Sequence, residues 1–207
     1  MVDAALIEKC SDPSLSTAIV EKFLAAAGSD DPLAITVRSN GRVVLIPKPT
    51  NTDQAMATVR DYVGSASVRV GLTQFPAGIG VTDVADLKPD LLDGCANLRT
   101  GTTMFAKVAR IVTKWYGRPT NKELFGQMFD DAVYAWKTGN FEGTNVFRAD
   151  DPGGPTFFVG KAGEPDASRP EAGMPEIDTD APALESGANE VNGAGIRVDL
   201  SRIGGQK

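Results

Sequence analysis

The chain has 207 residues, 42% of them hydrophobic and 7% aromatic, which is enough for one domain with a substantial core plus an appendage. Its formal net charge of −6 argues against a nucleic-acid partner, because phosphate binding depends on clustered lysine and arginine side chains. It contains no histidine, which excludes His-ligated metal sites and Ser-His-Asp triads and leaves carboxylates as the source of any acid–base chemistry.

Two helices are predicted at the start of the chain. Residues 3–9 form the first, and the hydroxyl groups of residues 14–16 can cap a second helix that ends at Gly28. The apolar residues of the second helix recur at helical spacing and face the core: Ile19, Val20, Phe23, Leu24 and Ala27. The first ten residues lack the basic and apolar regions of a secretory signal peptide, so we expect that a signal was removed or never used.

A small β-hairpin is predicted next. Residues 34–38 and 42–46 are rich in β-branched and apolar residues and flank Asn40-Gly41, a pair typical of a type I′ turn. Residues 68–80 contain three glycines and are expected to be irregular.

Three further helices are predicted, at residues 52–63, 98–116 and 121–137. Thr52 or Asp53 can cap the first of them, and the segment around Pro119 separates the other two. No apolar run approaches the length of about 18 residues that a membrane-spanning helix needs, so we expect no membrane insertion. The order of helices, hairpin and helices predicts an α+β fold that is mainly α.

The composition changes near residue 150. Residues 151–207 contain 10 glycines, 6 prolines and 10 acidic against 5 basic residues, and this stretch carries −5 of the total charge of −6. Such a segment cannot bury enough apolar surface to fold alone. We therefore divide the chain into a domain, residues 1–150, and an extended acidic tail, residues 151–207, which we expect other subunits to order. Two apolar segments, residues 157–159 and 196–203, are expected exceptions that could dock as short strands or a helix turn and serve as anchor points.

The chain has two cysteines, Cys10 and Cys95. Two thiols without histidine do not make a metal site, and we expect neither a metal nor another cofactor. As a disulfide the pair would close a long loop, a constraint worth roughly 4–5 kcal/mol in the chain-entropy model. As free thiols they would be two buried side chains, and the residues alone leave both possibilities open.

Five segments, in order, resemble the lytic transglycosylases of type IV secretion systems, a lysozyme-like family. They are EKCSDPSLSTAIV at residues 8–20, DPLAITV at 31–37, VGLTQF at 70–75, DGCANLRTG at 93–101 and YAWKTGNFEG at 134–143. The resemblance implies a lysozyme-like domain with a disulfide between Cys10 and Cys95. Such a bond implies in turn an oxidising compartment.

The resemblance also implies a lost catalytic residue. The family places a glutamate at the end of the second helix, five residues before a proline that matches Pro32, and the equivalent residue here is Ala27. A methyl group can neither protonate a glycosidic oxygen nor act as a base. Other carboxylates are no convincing replacement: Glu21 faces elsewhere, Asp30 and Asp31 follow the helix, and the adjacent pair Asp130-Asp131 points in two directions.

Five residues become candidates for binding a glycan through the same resemblance: Gln74, Phe75, Trp136, Thr138 and Asn140. Each has a structural alternative. Gln74 could satisfy backbone groups, Trp136 could belong to the core, and Thr138 and Asn140 could only terminate a helix. The family's motifs have also drifted at Pro76 and Trp136, which favours natural loss of activity over an engineered Ala27.

These observations predict a transglycosylase-like, peptidoglycan-associated structural component of an assembly that crosses the cell envelope, catalytically inactive because of Ala27. The assembly would be a secretion or conjugation machine, or a phage virion, and the location the periplasm and cell envelope, or the virion. Its partners would be a glycan strand and, through residues 151–207, other subunits. The alternative is an active lytic transglycosylase or muramidase that uses an acid elsewhere in the chain.

Overall fold

In a computed structural model of the chain, the structure describes residues 2–157. Their fold is α+β and mainly helical, which confirms that part of the predicted fold class. The helices are α1 (Ala4–Cys10), α2 (Thr17–Ala27), α3 (Thr52–Tyr62), α4 (Gly94–Trp115) and α5 (Phe125–Thr138). The strands are β1 (Ile35–Ser39), β2 (Arg42–Val44), β3 (Ser67–Val70), β4 (Phe75–Pro76), β5 (Asn140–Phe141) and β6 (Thr144–Asn145).

The first two helices lie where the sequence predicts them, within one residue. Asp3 caps α1, since its carboxylate accepts a hydrogen bond of 3.0 Å from the Ala5 amide. Ser16 is the N-cap of α2, but its hydroxyl makes no capping hydrogen bond. The expected hydroxyl cap is therefore absent, and α2 is held by the burial of its apolar face, namely Val20, Phe23 and Leu24.

The main sheet is antiparallel, with the order β2-β1-β3-β4. Asn40 and Gly41 both have positive φ, 51° and 76°, as a type I′ turn between β1 and β2 requires. The prediction of irregular structure over residues 68–80 is wrong in part, because β3 pairs with β1 and β4 pairs with β3. These strands have four and two residues, too few for alternation to stand out among three glycines.

Caps explain where the later helices begin. The side chain of Asn51, and not Thr52 or Asp53, caps α3 by accepting from Gln54 N at 2.9 Å. Asp93 caps α4 by accepting from Ala96 N at 2.8 Å, so this helix begins four residues before the predicted start. A short 3-10 turn capped by Asn121 precedes α5, which ends at Gly139 in the left-handed conformation.

An aromatic cluster joins three helices at the centre of the core. Phe23 of α2 stacks on Phe105 of α4 with ring centroids 4.0 Å apart, and Trp136 of α5 meets both rings edge-on at 5.2 and 6.1 Å. All three side chains are fully buried. The sheet adds Val37 and Val70, also fully buried, to the same core.

Cys10 and Cys95 form a disulfide, with Cα atoms 5.2 Å apart. This confirms the pairing that the resemblance implied. The bond joins the last residue of α1 to the first turn of α4 across 85 residues of sequence, and Cys10 is fully buried. It therefore ties the N-terminal helix to the longest helix of the described residues.

The chain after β6 returns along α4. Lys107 donates to the carbonyl oxygens of Phe147 and Ala149, at 3.0 and 2.8 Å, and Arg110 makes two hydrogen bonds to the Asp151 carboxylate. Residues 151–157 thus lie against the domain. The division into residues 1–150 and 151–207 stays a prediction, since residues 158–207, including most of the first anchor and all of the second, lie outside the described residues.

Candidate functional site

The loop between β3 and β4, residues 71–74, lies at the centre of the segments that the sequence singled out. Asn97 of α4 holds this loop with two hydrogen bonds, accepting from the amide and hydroxyl of Thr73, both at 2.9 Å. It also donates to Val70 O, at the end of β3, and to Leu91 O, before α4, at 3.1 and 2.8 Å. Asn97 is 1% exposed. Every polar atom of its side chain is engaged internally, so Asn97 fastens the loop to the helix.

Three glycines let the loop approach the helices this closely. A Cβ on Gly71, whose φ is +72°, would lie 2.3 Å from Asn97 Nδ2, and one on Gly101 of α4 would lie 2.1 Å from Thr73 Oγ1. A Cβ on Gly28, at the end of α2, would lie 2.5 Å from the Leu72 carbonyl oxygen. Side chains at these positions would push the loop away from α2 and α4.

Both polar atoms of the Gln74 side-chain amide make hydrogen bonds within the protein. Its Oε1 accepts from Thr36 Oγ1 at 2.7 Å and its Nε2 donates to Gly71 O at 3.1 Å. Its backbone has a φ of 50°, and the residue is 8% exposed. Gln74 therefore stabilises the tight turn of the loop, and its neighbour Phe75 is buried in β4.

Arg69 on β3 connects the loop to the end of α5. Its guanidinium donates to Gln74 O at 3.0 Å, to Trp136 O at 2.6 Å and to Lys137 O at 3.1 Å. Burial, with a smaller contribution from the positive charge of Arg38, lowers the pKa of Arg69 to about 10, so it stays charged at neutral pH. A cation at the carbonyl end of a helix is electrostatically favourable, which explains this placement.

The remaining candidates are divided between the interior and the surface. Trp136 is fully buried, and its Nε1 donates to Thr73 O at 3.2 Å. The hydroxyl of Thr138 lies 2.9 Å from both Tyr134 O and Asn140 O, where the helix ends, and Thr138 and Asn140 are exposed. The structure thus brings three of the candidates together in the interior, because Arg69 bonds to Gln74 and Trp136 and the Phe75 ring lies near Trp136. The other two, Thr138 and Asn140, lie at the surface.

Neither Ala27 nor Gln74 lines either of two grooves on the surface of the described residues. One, of about 680 Å³, lies between α1 and α2 beside Glu21, Gly28 and Asp30. The other, of about 350 Å³, lies beside Trp115 and Glu142. Ala27 is half-buried against the core at the end of α2.

Within residues 2–157, no group of three or more cysteine, aspartate and glutamate side chains could hold a metal ion. No helix there is both long and apolar enough to cross a membrane.

Several large apolar side chains face solvent. Val43 and Leu45, at the edge of the main sheet, are 58% and 95% exposed, while Trp115 and Tyr134 are 57% and 61% exposed. Trp115 ends α4 and contacts the Phe141 ring at a centroid distance of 5.5 Å. Exposed apolar side chains contribute to a binding surface where they lie together in one patch, as Val43 and Leu45 do at the sheet edge.

The family model TraH_2 matches residues 1–205 of the chain. A protein of Sinorhizobium fredii named "Uncharacterized protein y4dP" is 56% identical over 207 residues, which cover 99% of this chain and 100% of that protein. No solved structure matches.

These comparisons overturn the resemblance to lytic transglycosylases, which rested on five short segments. The physical reason is that these segments have structural roles. The loop is shaped and held by Gly71, Gln74 and Asn97, and the disulfide includes Cys95. Such packing does not identify a catalytic activity. The lysozyme-like part of the predicted fold is accordingly not confirmed.

Proposed function

We propose that this chain, which belongs to the TraH_2 family of conjugal transfer proteins, is a structural and binding component of a conjugal transfer apparatus in the cell envelope. The family supports a place in such a machine, and the contacts of the described residues support the structural role.

One observation carries the proposal: polar side chains around the central loop are engaged internally, whereas large apolar side chains face solvent. Asn97, Gln74 and Arg69 all bond to other groups of the same chain. Catalysis needs groups free to contact a substrate, while binding to other subunits needs accessible apolar area of the kind that Leu45 and Trp115 provide.

The disulfide supports a location in the envelope. Cys10 and Cys95 are joined, and disulfides persist in oxidising compartments such as the periplasm and are rare in the cytosol. The family supports a conjugation machine over the virion that the sequence left open.

The acidic segment, residues 151–207, is the second part of the proposal. It carries −5 of the total charge of −6 and few large apolar residues, so contacts with other subunits would offset the cost of ordering it. We propose that these contacts help to hold the domain in the assembly.

The proposal is tested in donor cells that express the chain with an epitope tag. The cells are treated with a thiol-alkylating reagent before lysis, the lysate is separated into envelope and cytosolic fractions, and the complexes are separated by size. We expect the chain in the envelope fraction, in a complex much larger than 21.8 kDa, with Cys10 and Cys95 protected from alkylation until reductant is added. A reduced, monomeric chain in the cytosolic fraction would contradict both the location and the role.

A further inference from the structure

Strand β2 forms an edge of the main sheet. It pairs with β1 on one side, through Ser39↔Arg42, Arg38↔Val43 and Val37↔Val44, and it is the outermost strand of the order β2-β1-β3-β4. An edge strand presents a row of backbone donors and acceptors that a further strand can use.

The register shows which backbone groups face outward. In a two-residue hairpin the pair that closes the turn, here Ser39↔Arg42, is hydrogen-bonded, and the bonded pairs then alternate, so Val37↔Val44 is bonded and Arg38↔Val43 is not. The amide and carbonyl of Val43 therefore point away from β1. Leu45 lies one residue beyond β2, and where the chain continues extended the same alternation turns its amide and carbonyl outward as well.

The side chains of these two residues are exposed as well. Val43 is 58% and Leu45 95% exposed, the latter the most exposed large hydrophobic side chain among the described residues. Natural edge strands are commonly protected by charges, proline or a covering segment. Here Val43 and Leu45 face solvent in the described part of the chain, whereas Val44 and Ile46 pack in part against the core, and Pro47 follows them.

The positive charge at this edge favours an acidic partner. Residues 38–49 contain three basic residues, Arg38, Arg42 and Lys48, and no carboxylate, in a chain whose net charge is −6. Lys48 pairs with Asp31 at 3.0 Å, whereas Arg38 and Arg42 have no ion pair among residues 2–157. Arg38 lies opposite Val43, on the same face of the sheet as the exposed side chains.

We propose that β2 is a docking edge for an extended acidic segment of another subunit of the transfer apparatus, which adds antiparallel to the sheet as a fifth strand. Backbone hydrogen bonds to Val43 and Leu45 supply affinity, apolar side chains of the segment cover Leu45, and its carboxylates, on the opposite face of the added strand, pair with Arg42. The identity of the partner as a transfer subunit rests on the proposed function, whereas the chemistry of the edge does not.

A designed peptide tests the edge directly. The probe is acetyl-Val-Glu-Val-Glu-Val-Glu-Val-amide, which has one apolar and one acidic face as a strand, and its control has lysine in place of glutamate. With the isotope-labelled full chain, we expect NMR shifts centred on the Val43 and Leu45 amides and about tenfold tighter binding of the acidic peptide.

Two variants make the test specific. Leu45→Pro removes one outward amide while leaving the Val37↔Val44 pair intact, and it should weaken binding of the acidic peptide by about tenfold. Arg42→Glu should abolish the preference for the acidic peptide. The matched control is Val84→Pro, because Val84 is an exposed valine in the first position of a 3-10 turn, where proline is tolerated.

Four outcomes would overturn the proposal. The first is shifts away from residues 42–46, and the second is equal binding of both peptides. The third is a dimer in sedimentation that Leu45→Pro dissociates, which would assign the edge to a second copy of the chain. A donor whose transfer is lost on deletion but normal with Leu45→Pro would refute the edge while leaving the proposed function intact.

Discussion

Asn97 is the residue on which the central loop most depends. Replacement by alanine would leave the buried amide of Thr73 without its partner and would remove the hydrogen bonds to the carbonyl groups of Val70 and Leu91. Each such group costs about 1–3 kcal/mol, so we expect Asn97→Ala to lower the free energy of unfolding by about 3 kcal/mol in urea titrations. The exposed Asn140→Ala should change it by less than about 0.5 kcal/mol, and an equal loss in both variants would contradict this role of Asn97.

At Gly101 the single methyl group that alanine adds decides whether the substitution stabilises or destabilises the protein. Alanine normally stabilises a helix relative to glycine by up to about 1 kcal/mol, and Gly126→Ala in α5, with open space around it, should do so. At Gly101 the new methyl group would overlap the Thr73 side chain, and we expect a loss of about 1–3 kcal/mol. Thermal unfolding of the two variants measures the difference, and a shift of both in the same direction would contradict the close approach of the loop.

Tyr116 gives a test through pH. Its hydroxyl donates to the Asp131 carboxylate at 2.7 Å, and this hydrogen bond, more than burial, raises the pKa of Tyr116 to about 12 from its ordinary value of 10.0. The folded pKa is the higher one, so the stabilisation is present below about pH 10 and is lost as the pH rises to about 12.

Ultraviolet titration of the tyrosines checks this shift. Asp131→Asn should return the pKa of Tyr116 toward 10.0, while the neighbouring Asp130→Asn should leave it raised. Identical titration curves for the native chain and for Asp131→Asn would show that the hydrogen bond does not control the ionisation.

Residues of this kind are the ones that sequence reasoning missed. Asn97 and Arg69 are single polar residues in a helix and a strand, and their partners are backbone atoms brought near by the fold, so no spacing in the sequence marks them. Gln74 and Trp136 were singled out, but for a substrate. In the structure both side chains donate hydrogen bonds to backbone carbonyl groups of the buried loop, Gln74 to Gly71 O and Trp136 to Thr73 O, which agrees with the structural alternative for both.

At the scale of elements, the disulfide joins two helices that otherwise meet through side-chain packing. Removing it, by reductant or by the double replacement of Cys10 and Cys95 with alanine, should lower the free energy of unfolding by about 4 kcal/mol, since an 85-residue separation is released in the unfolded chain. Urea titrations with and without reductant measure this. The double variant serves as the control, because reductant should not affect it, and a native chain equally insensitive to reductant would contradict the bond.

The helices could be predicted from the sequence far better than the sheet. Helix α2 carries an apolar periodicity that ends at Gly28, α5 ends at Gly139, and the turn at Asn40-Gly41 has its own signature. Strands β3 and β4 are defined by pairing with distant residues, such as Ile35↔Val70, and short strands carry no local signal of a partner.

At the scale of the whole molecule, motif resemblance and overall similarity gave different answers about identity. Five segments resembled a glycan-cutting enzyme, yet the TraH_2 match extends over residues 1–205. Short motifs built of glycine, cysteine and amide side chains describe a way of packing a loop against helices, and unrelated activities can share it. The coarser inference, an assembly of the cell envelope, does not depend on that enzyme and agrees with the family.

The requirement for the chain in plasmid transfer is the most direct test of the account. Transfer frequency is measured from a donor that lacks the gene and from the same donor with the gene supplied in trans. The account predicts that transfer falls sharply in the first donor and is restored in the second, with growth unchanged in both. Undiminished transfer without the chain would contradict its assignment as a component of the transfer apparatus.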